Sequence, residues 1–113
     1  MEEYFVKRPL KRPPIHPGEI LSKDVFPSLG LSISEAARRI GVSRQHLHRI
    51  VSCTQPISTE MALRIGKFVG NGPDIWLKMQ QKHDLWRLEQ DMKEELSKIE
   101  LAEPIDILPA YSA

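Results

Sequence analysis

Five polar or basic side chains gather on one side of a short predicted helix. Arg44, Gln45, His48 and Arg49 are neighbours in the sequence or lie one helical turn apart. The fifth, Ser43, lies at the start of the helix. Arginine can donate two hydrogen bonds to guanine O6 and N7, and glutamine can pair with adenine N6 and N7. The pattern therefore predicts a surface that reads base edges in the major groove of DNA.

Two short helices joined by a tight turn would hold these side chains. The first is marked by apolar residues at the i, i+3, i+4, i+7 spacing of one buried stripe: Ile33, Ala36, Ala37 and Ile40. Ser32 and Glu35 form a capping box at its start. Gly41 can end it with a positive φ, and Ser43 can cap the second helix two residues later, which is typical of a helix-turn-helix.

The remaining residues of the two helices favour the same interpretation. Leu47, Ile50 and Val51 give the second helix an inward face, so its polar face is left for solvent or a ligand. Arg38 and Arg39 would lie near the phosphate backbone if the first helix crosses the groove. The alternative is a solvated basic face that only keeps the hairpin soluble.

Length and charge limit the class of protein. A chain of 113 residues has room for one small domain. Residues 1–57 carry nine Lys/Arg and five Asp/Glu, a net charge of +4, whereas residues 58–113 carry seven and ten, a net charge of −3. We therefore expect nucleic acid on the front half and another partner on the acidic back half.

Several other classes are disfavoured. The single cysteine, Cys53, indicates a reducing compartment and is interpreted as a plain loop residue, with a redox sensor as the alternative. Since no apolar run or signal-peptide pattern points to a membrane, we predict a cytoplasmic protein. The histidines lack metal-ligand spacing, and no phosphate loop or catalytic motif is present. We expect no enzyme, no metal and no cofactor.

The sequence predicts an all-α fold organised as one domain between an arm and a tail. We expect a flexible, extended basic arm at 1–16, a DNA-binding domain with a C-terminal association helix at 17–102, and a short tail at 103–113. Five helices are expected: one from Pro17 that Pro27 ends, the helix pair, one capped by Ser58, and a long one from Pro73 nearly to Pro104. For the arm, a solvated terminus is preferred over a minor-groove contact.

The second half of the long helix carries one apolar row among charged residues. The row comprises Leu85, Leu88, Met92, Leu96 and Ile99. Four short helices could not bury it fully, and a narrow stripe of this kind is typical of helix association. We therefore predict that Leu85, Leu88, Met92 and Leu96 form a homodimer surface.

Four phrases between residues 15 and 88 carry a more specific signal. They are HPGEIL at 16–21, AARRIGVSRQHLHRIV at 36–51, ISTEMALRIGKF at 57–68 and PDIWLKMQQKHDLW at 73–86. Together they resemble the HigA (VapI-like) antitoxins, which belong to the Xre/lambda-repressor-like helix-turn-helix proteins. The first and last phrases make the resemblance more specific than the helix-turn-helix alone, because neither has a role in generic DNA reading.

The resemblance implies a five-helix lambda-repressor-like domain that dimerises on a palindromic operator in double-stranded DNA. It implies an antitoxin that neutralises a HigB-type mRNA-cleaving toxin and represses their shared promoter. The five residues of the predicted reading face would contact DNA, and Arg38 and Thr54 would contact phosphates. The arm before His16 and the tail after Leu101 depart from the resemblance and leave the toxin-contacting surface open.

Two other functions remain open. One is a solitary Xre-type transcriptional repressor without a toxin partner. The other is a protein-interaction module without DNA binding, for which charge reversal at Arg44 and Arg49 would have no effect.

Overall fold

The computed structural model describes residues 14–103, and every regular element in this range is a helix. The helices are α1 (17–29), α2 (Ile33–Ile40), α3 (Arg44–Val51), α4 (Thr59–Val69), α5 (Asp74–Asp91) and α6 (Lys93–Ser97). The predicted all-α class with a helix-turn-helix is confirmed. The predictions of an extended arm and of a short tail fall largely on residues 1–13 and 104–113, which lie outside the described residues.

The first helix begins at Pro17, as predicted, but it does not end at Pro27. It continues to Leu29 and ends at Gly30, whose φ is 69°. The predicted end is wrong because Leu21–Val25 forms a π turn, in which the amide of Phe26 donates to the carbonyl of Leu21. A proline ring clashes with the carbonyl four residues back in a regular α-helix, and the wider π turn before Pro27 relieves that clash.

A serine caps each of the next three helices. Ser32, Ser43 and Ser58 accept hydrogen bonds from the backbone amides of residues three positions later, at 3.1, 3.0 and 3.1 Å. These caps satisfy amides that have no partner inside the helix, and they fix where each helix begins. All three caps were predicted from the sequence.

The long C-terminal helix is interrupted. The sequence predicts a single helix here, but α5 ends at Asp91. Met92 leaves the helical region with φ −103° and ψ 15°, and α6 follows at Lys93–Ser97. Every residue from 87 to 103 is exposed, so no packing by the described residues supports the helix there. A helix without a buried face depends on its weak intrinsic propensity, and a break costs it little.

The core lies between α1 to α5 and receives side chains from each of them. Its buried apolar residues are Leu21, Phe26, Ala36, Ala37, Ile40, Leu47, Ile50, Ile57, Met61, Ala62, Ile65 and Trp76. Trp76 is a core residue, and its indole N–H donates to Asn71 Oδ1 at 2.9 Å. The buried Gln80 amide accepts from the Ile57 amide at 2.9 Å and donates to Asp84 at 3.0 Å. Both ends of this buried polar group are therefore satisfied.

The HPGEI phrase attaches the start of α1 to the end of α3. The buried His16 is the N-cap, and its Nδ1 accepts from the Gly18 amide at 2.9 Å. Burial, followed by the neighbouring His83, lowers the pKa of His16 and favours the neutral ring that can accept this bond. A Cβ atom at Gly18 would lie 1.8 Å from the carbonyl oxygen of Ile50. The two backbones thus touch at a point where only glycine fits.

Replacing Gly18 by alanine should destabilise the protein by about 3 kcal/mol, because the added methyl group forces α1 away from the carbonyl of Ile50. The direction of this change in stability is informative, because a Gly→Ala substitution inside a helix otherwise stabilises a protein by up to about 1 kcal/mol. Chemical denaturation of Gly18→Ala measures the effect. The exposed Ser28→Ala, on the same helix, is the control and should stay within about 0.5 kcal/mol of wild type. A Gly18→Ala protein as stable as wild type would contradict the close contact.

Candidate nucleic-acid interface

The turn between α2 and α3 sets the angle at which α3 is presented. Gly41 has φ 89°, and the amides of Gly41 and Val42 both donate to the carbonyl of Ala37, at 2.8 and 3.0 Å. The Ala37 carbonyl near the end of α2 thus accepts both bonds, as at other helix ends that a left-handed glycine closes. The turn therefore ends α2 and reverses the chain within three residues, as the sequence predicted.

Arg64 on α4 fixes this turn from the other side. Its Nη1 donates to the carbonyls of Ile40 and Gly41, both at 3.2 Å, and its Nε donates to Glu60 at 3.1 Å. A cation at the C-terminal end of a helix also interacts favourably with the helix dipole. The sequence analysis missed this role, because nothing local connects Arg64 to a turn 23 residues earlier.

The helix α3 has one buried side and one exposed side. Leu47 and Ile50 are completely buried, whereas the residues predicted to read DNA are all exposed: Ser43, Arg44, Gln45, His48 and Arg49. Four of these side chains thus lie on the solvent side of α3, and the fifth, Ser43, caps its start. We call this set the reading face.

The side chain of Arg49 is already held in place. Its Nε donates to Gln55 Oε1 at 2.7 Å, and Gln55 Nε2 lies 3.4 Å from His46 Nε2. Gln55 was not among the predicted site residues. No sequence signal marked it, because it belongs to an irregular loop whose return to the helix depends on Cys53 with a φ of 65°.

Thr54 takes part in the same loop. Its amide and its hydroxyl both donate to the carbonyl of Arg49, at 3.0 and 3.1 Å, and the hydroxyl of Ser52 also lies 3.1 Å from that oxygen. In this arrangement the hydroxyl proton of Thr54 points back to the protein. A phosphate contact through Thr54 stays a prediction and would require the hydroxyl to rotate.

The two arginines of α2 differ in their surroundings. Arg38 is exposed and forms an ion pair with Glu35, and this guanidinium lowers the pKa of the Glu35 carboxyl. Arg39 lies over the ring of Phe68, 5.0 Å from its centroid. A phosphate that binds Arg38 must therefore compete with Glu35, and the predicted contact stays a prediction.

The predicted association row lies on α5 and α6, with Met92 at the break between them. Leu85, Leu88, Met92 and Leu96 are 55, 41, 38 and 43% exposed. A groove of about 500 Å³ opens beside the first two, with Ile57 and Leu77 in its walls. The row is therefore an apolar surface without a partner in the described part of the chain.

Other kinds of site find little support between residues 14 and 103. No group of three or more His, Cys, Asp or Glu side chains in this range could hold a metal ion. Desolvation, with a smaller contribution from the Glu19 carboxylate, raises the pKa of the Cys53 thiol, which is the opposite of what a reactive cysteine needs. Within the same range, the helices are too short or too polar to cross a membrane.

Comparison with known proteins agrees with this geometry. Residues 28–76 match the helix-turn-helix family. The HTH-type transcriptional regulator YbaQ of Escherichia coli is 36% identical over 91 residues, which cover 79% of this chain and 80% of YbaQ. Virulence-associated protein I of Dichelobacter nodosus is 38% identical over 79 residues, which cover 70% of this chain and 73% of that protein.

A solved structure of an antitoxin has the same fold. The Pseudomonas aeruginosa antitoxin HigA, solved with the higBA promoter, superimposes with a TM-score of 0.74 and is 28% identical. The match covers 80% of this chain and 99% of the HigA chain. The protein therefore belongs to the Xre-like helix-turn-helix family that includes the HTH-type regulators and the HigA (VapI-like) antitoxins.

Proposed function

We propose that this protein is a sequence-specific DNA-binding antitoxin that represses its own operon and neutralises a HigB-type mRNA-cleaving toxin. The observation that carries the proposal is the reading face: five exposed hydrogen-bonding side chains on α3 and its N-cap, opposite the fully buried Leu47 and Ile50. The similarity to an antitoxin solved with its promoter supports the same conclusion. Such a protein acts in the cytoplasm, where it meets both its operator and the toxin.

In the proposed complex, α3 lies in the major groove. Arg44 and Gln45 are in its first turn, which is the part that contacts base edges when a recognition helix enters the groove. The terminal nitrogens of Arg49 can contact guanine or phosphate while its Nε stays bonded to Gln55. Phosphate contacts by Arg38 and Thr54 would fix the register without selecting sequence.

The antitoxin is proposed to act as a homodimer joined through the apolar row on α5 and α6. The row offers about one large apolar side chain per helical turn, and the adjacent groove can accept a side chain from a second copy. Burial of this surface removes exposed leucine and methionine from water. Two reading faces about 34–36 Å apart would then match a palindrome with half-sites one helical turn apart.

The second candidate is a solitary transcriptional repressor. The similarity to YbaQ favours it, because that protein is described as a transcriptional regulator. Both candidates use the reading face in the same way. They differ only in whether a toxin binds elsewhere on the protein.

Arg44→Ala and Arg49→Ala should each weaken promoter binding by about 1–3 kcal/mol if the side chain reads a base, and should mainly reduce the salt dependence if it contacts phosphate. Fluorescence anisotropy at several salt concentrations separates these cases. Lys78→Ala removes one exposed positive charge from α5 and serves as the control, with little change in affinity. If both arginine variants bind like wild type, α3 is not the docking face.

Leu88→Glu and Met92→Glu should weaken the dimer, because each places a charge inside the proposed apolar contact. Sedimentation or light scattering across a dilution series measures the shift towards monomer. Gln90→Glu introduces the same charge between these positions on α5, off the row, and should leave the dimer unchanged. Persistence of the dimer in both row variants would place the interface elsewhere.

The antitoxin function is tested by expressing the small reading frame beside this gene, alone and together with this protein. We expect growth arrest by the neighbour alone, rescue by this protein and co-purification of the two. An Arg44→Ala, Arg49→Ala double variant is the matched control, since it should lose promoter binding and still rescue growth. A harmless neighbour that forms no complex would favour the solitary repressor.

A further inference from the structure

The loop after α3 folds back onto the end of that helix and is tied down on both sides. On one side, Ser52 and Thr54 donate to the carbonyl of Arg49. On the other side, the amide of the buried Ile57 donates to the buried Gln80 on α5 at 2.9 Å. Gln55 lies between these two attachments, so its backbone has little freedom to move relative to α3.

The side chain of Gln55 reaches back to two residues of α3. It accepts from Arg49 Nε at 2.7 Å, and its own amide nitrogen lies 3.4 Å from His46 Nε2, close enough to donate to a neutral imidazole. Gln55 is half-buried, whereas Arg49 is exposed. A partly fixed amide therefore holds a long, flexible side chain that would otherwise sample many rotamers.

This bond also decides which edge of the guanidinium remains free. Arginine can present either its Nε and one Nη, or its two Nη nitrogens, to a planar pair of acceptors. Because Nε is bonded to Gln55, the two terminal nitrogens are left for a ligand. A side chain fixed before binding also loses less conformational entropy on contact.

From this geometry we infer that Gln55 is a specificity-determining positioning residue, which orients Arg49 so that its two terminal nitrogens read one base pair of the operator. The inference rests on the proposed DNA binding. It predicts that Gln55 controls discrimination between bases at the position that Arg49 contacts, without contributing a contact of its own to that base.

Two substitutions separate the hydrogen bond from the size of the side chain. Gln55→Met keeps the length and removes the acceptor, whereas Gln55→Glu keeps an acceptor for Arg49 and adds a negative charge. Gln90→Met, at an exposed position of α5, is the matched control. Thermal melting of each variant verifies that the protein still folds.

The first readout needs no DNA. NMR of the arginine Nε–H groups should show one signal that disappears in Arg49→Ala and that exchanges slowly with solvent in wild type. In Gln55→Met the exchange should become fast, while Gln55→Glu and Gln90→Met should keep it slow. Slow exchange that persists in Gln55→Met would overturn the inference and leave the proposed DNA binding untouched.

The second readout is affinity for the promoter and for variants with each base pair of the half-site replaced. Arg49→Ala should lose discrimination at one base pair. Gln55→Met should lose at least about 5-fold discrimination at the same base pair with an unchanged salt slope, because a good bidentate contact contributes at least about this much. Gln55→Glu should keep the discrimination and bind all sequences more weakly, since its charge repels phosphate.

The double variant Gln55→Met, Arg49→Ala provides the decisive comparison. If Gln55 acts through Arg49, the double variant should match Arg49→Ala alone. A further loss of discrimination in the double variant would show that Gln55 reads DNA itself and would overturn the positioning role. Failure of the wild-type protein to bind any promoter fragment would overturn the proposed function together with this inference.

Discussion

The contact between Gly18 and the carbonyl of Ile50 fixes α3 against α1, and the reading face depends on it. The space at this contact does not admit even one methyl group, so the two backbones meet directly. The N-cap bond from the Gly18 amide to His16 holds the first turn of α1 in the conformation that makes this approach. As the neutral ring is the one that accepts this bond, burial of His16 acts in the same direction.

The other end of α3 is fixed by different chemistry. Ser43 caps the helix, Gly41 turns the chain, and Arg64 donates to the carbonyls that the turn exposes. Both ends of an eight-residue helix are therefore held, although a helix of that length is marginal alone in water. The consequence is a reading face whose backbone is ordered before any ligand arrives, so that binding does not have to supply the free energy of folding it.

The parts of this structure that were predictable from the sequence depend on neighbours along the chain. Capping serines, the glycine after α2 and the apolar spacing of α2 and α3 are local signals, and the helices begin where these signals indicate. The error at Pro27 arose because a π turn is not a sequence pattern, and the break at Met92 occurs where residues 14–103 provide no packing. Gln55 and Arg64 were missed for one reason, since each acts on residues that only the fold brings near.

Gln80 connects the reading face to the apolar row. Its side chain holds the amide of Ile57, at the end of the loop that carries Gln55, and its own helix carries Leu85 and Leu88 one to two turns further on. Leaving that buried amide without its partner would cost about 1–3 kcal/mol, so detachment of the loop from α5 is unfavourable. A second copy that packs on the row would therefore set the direction of α5 and, through Gln80, the position of the loop that orients Arg49. In the proposed complex, dimer geometry and base reading would in this way be properties of one rigid unit rather than of two independent surfaces.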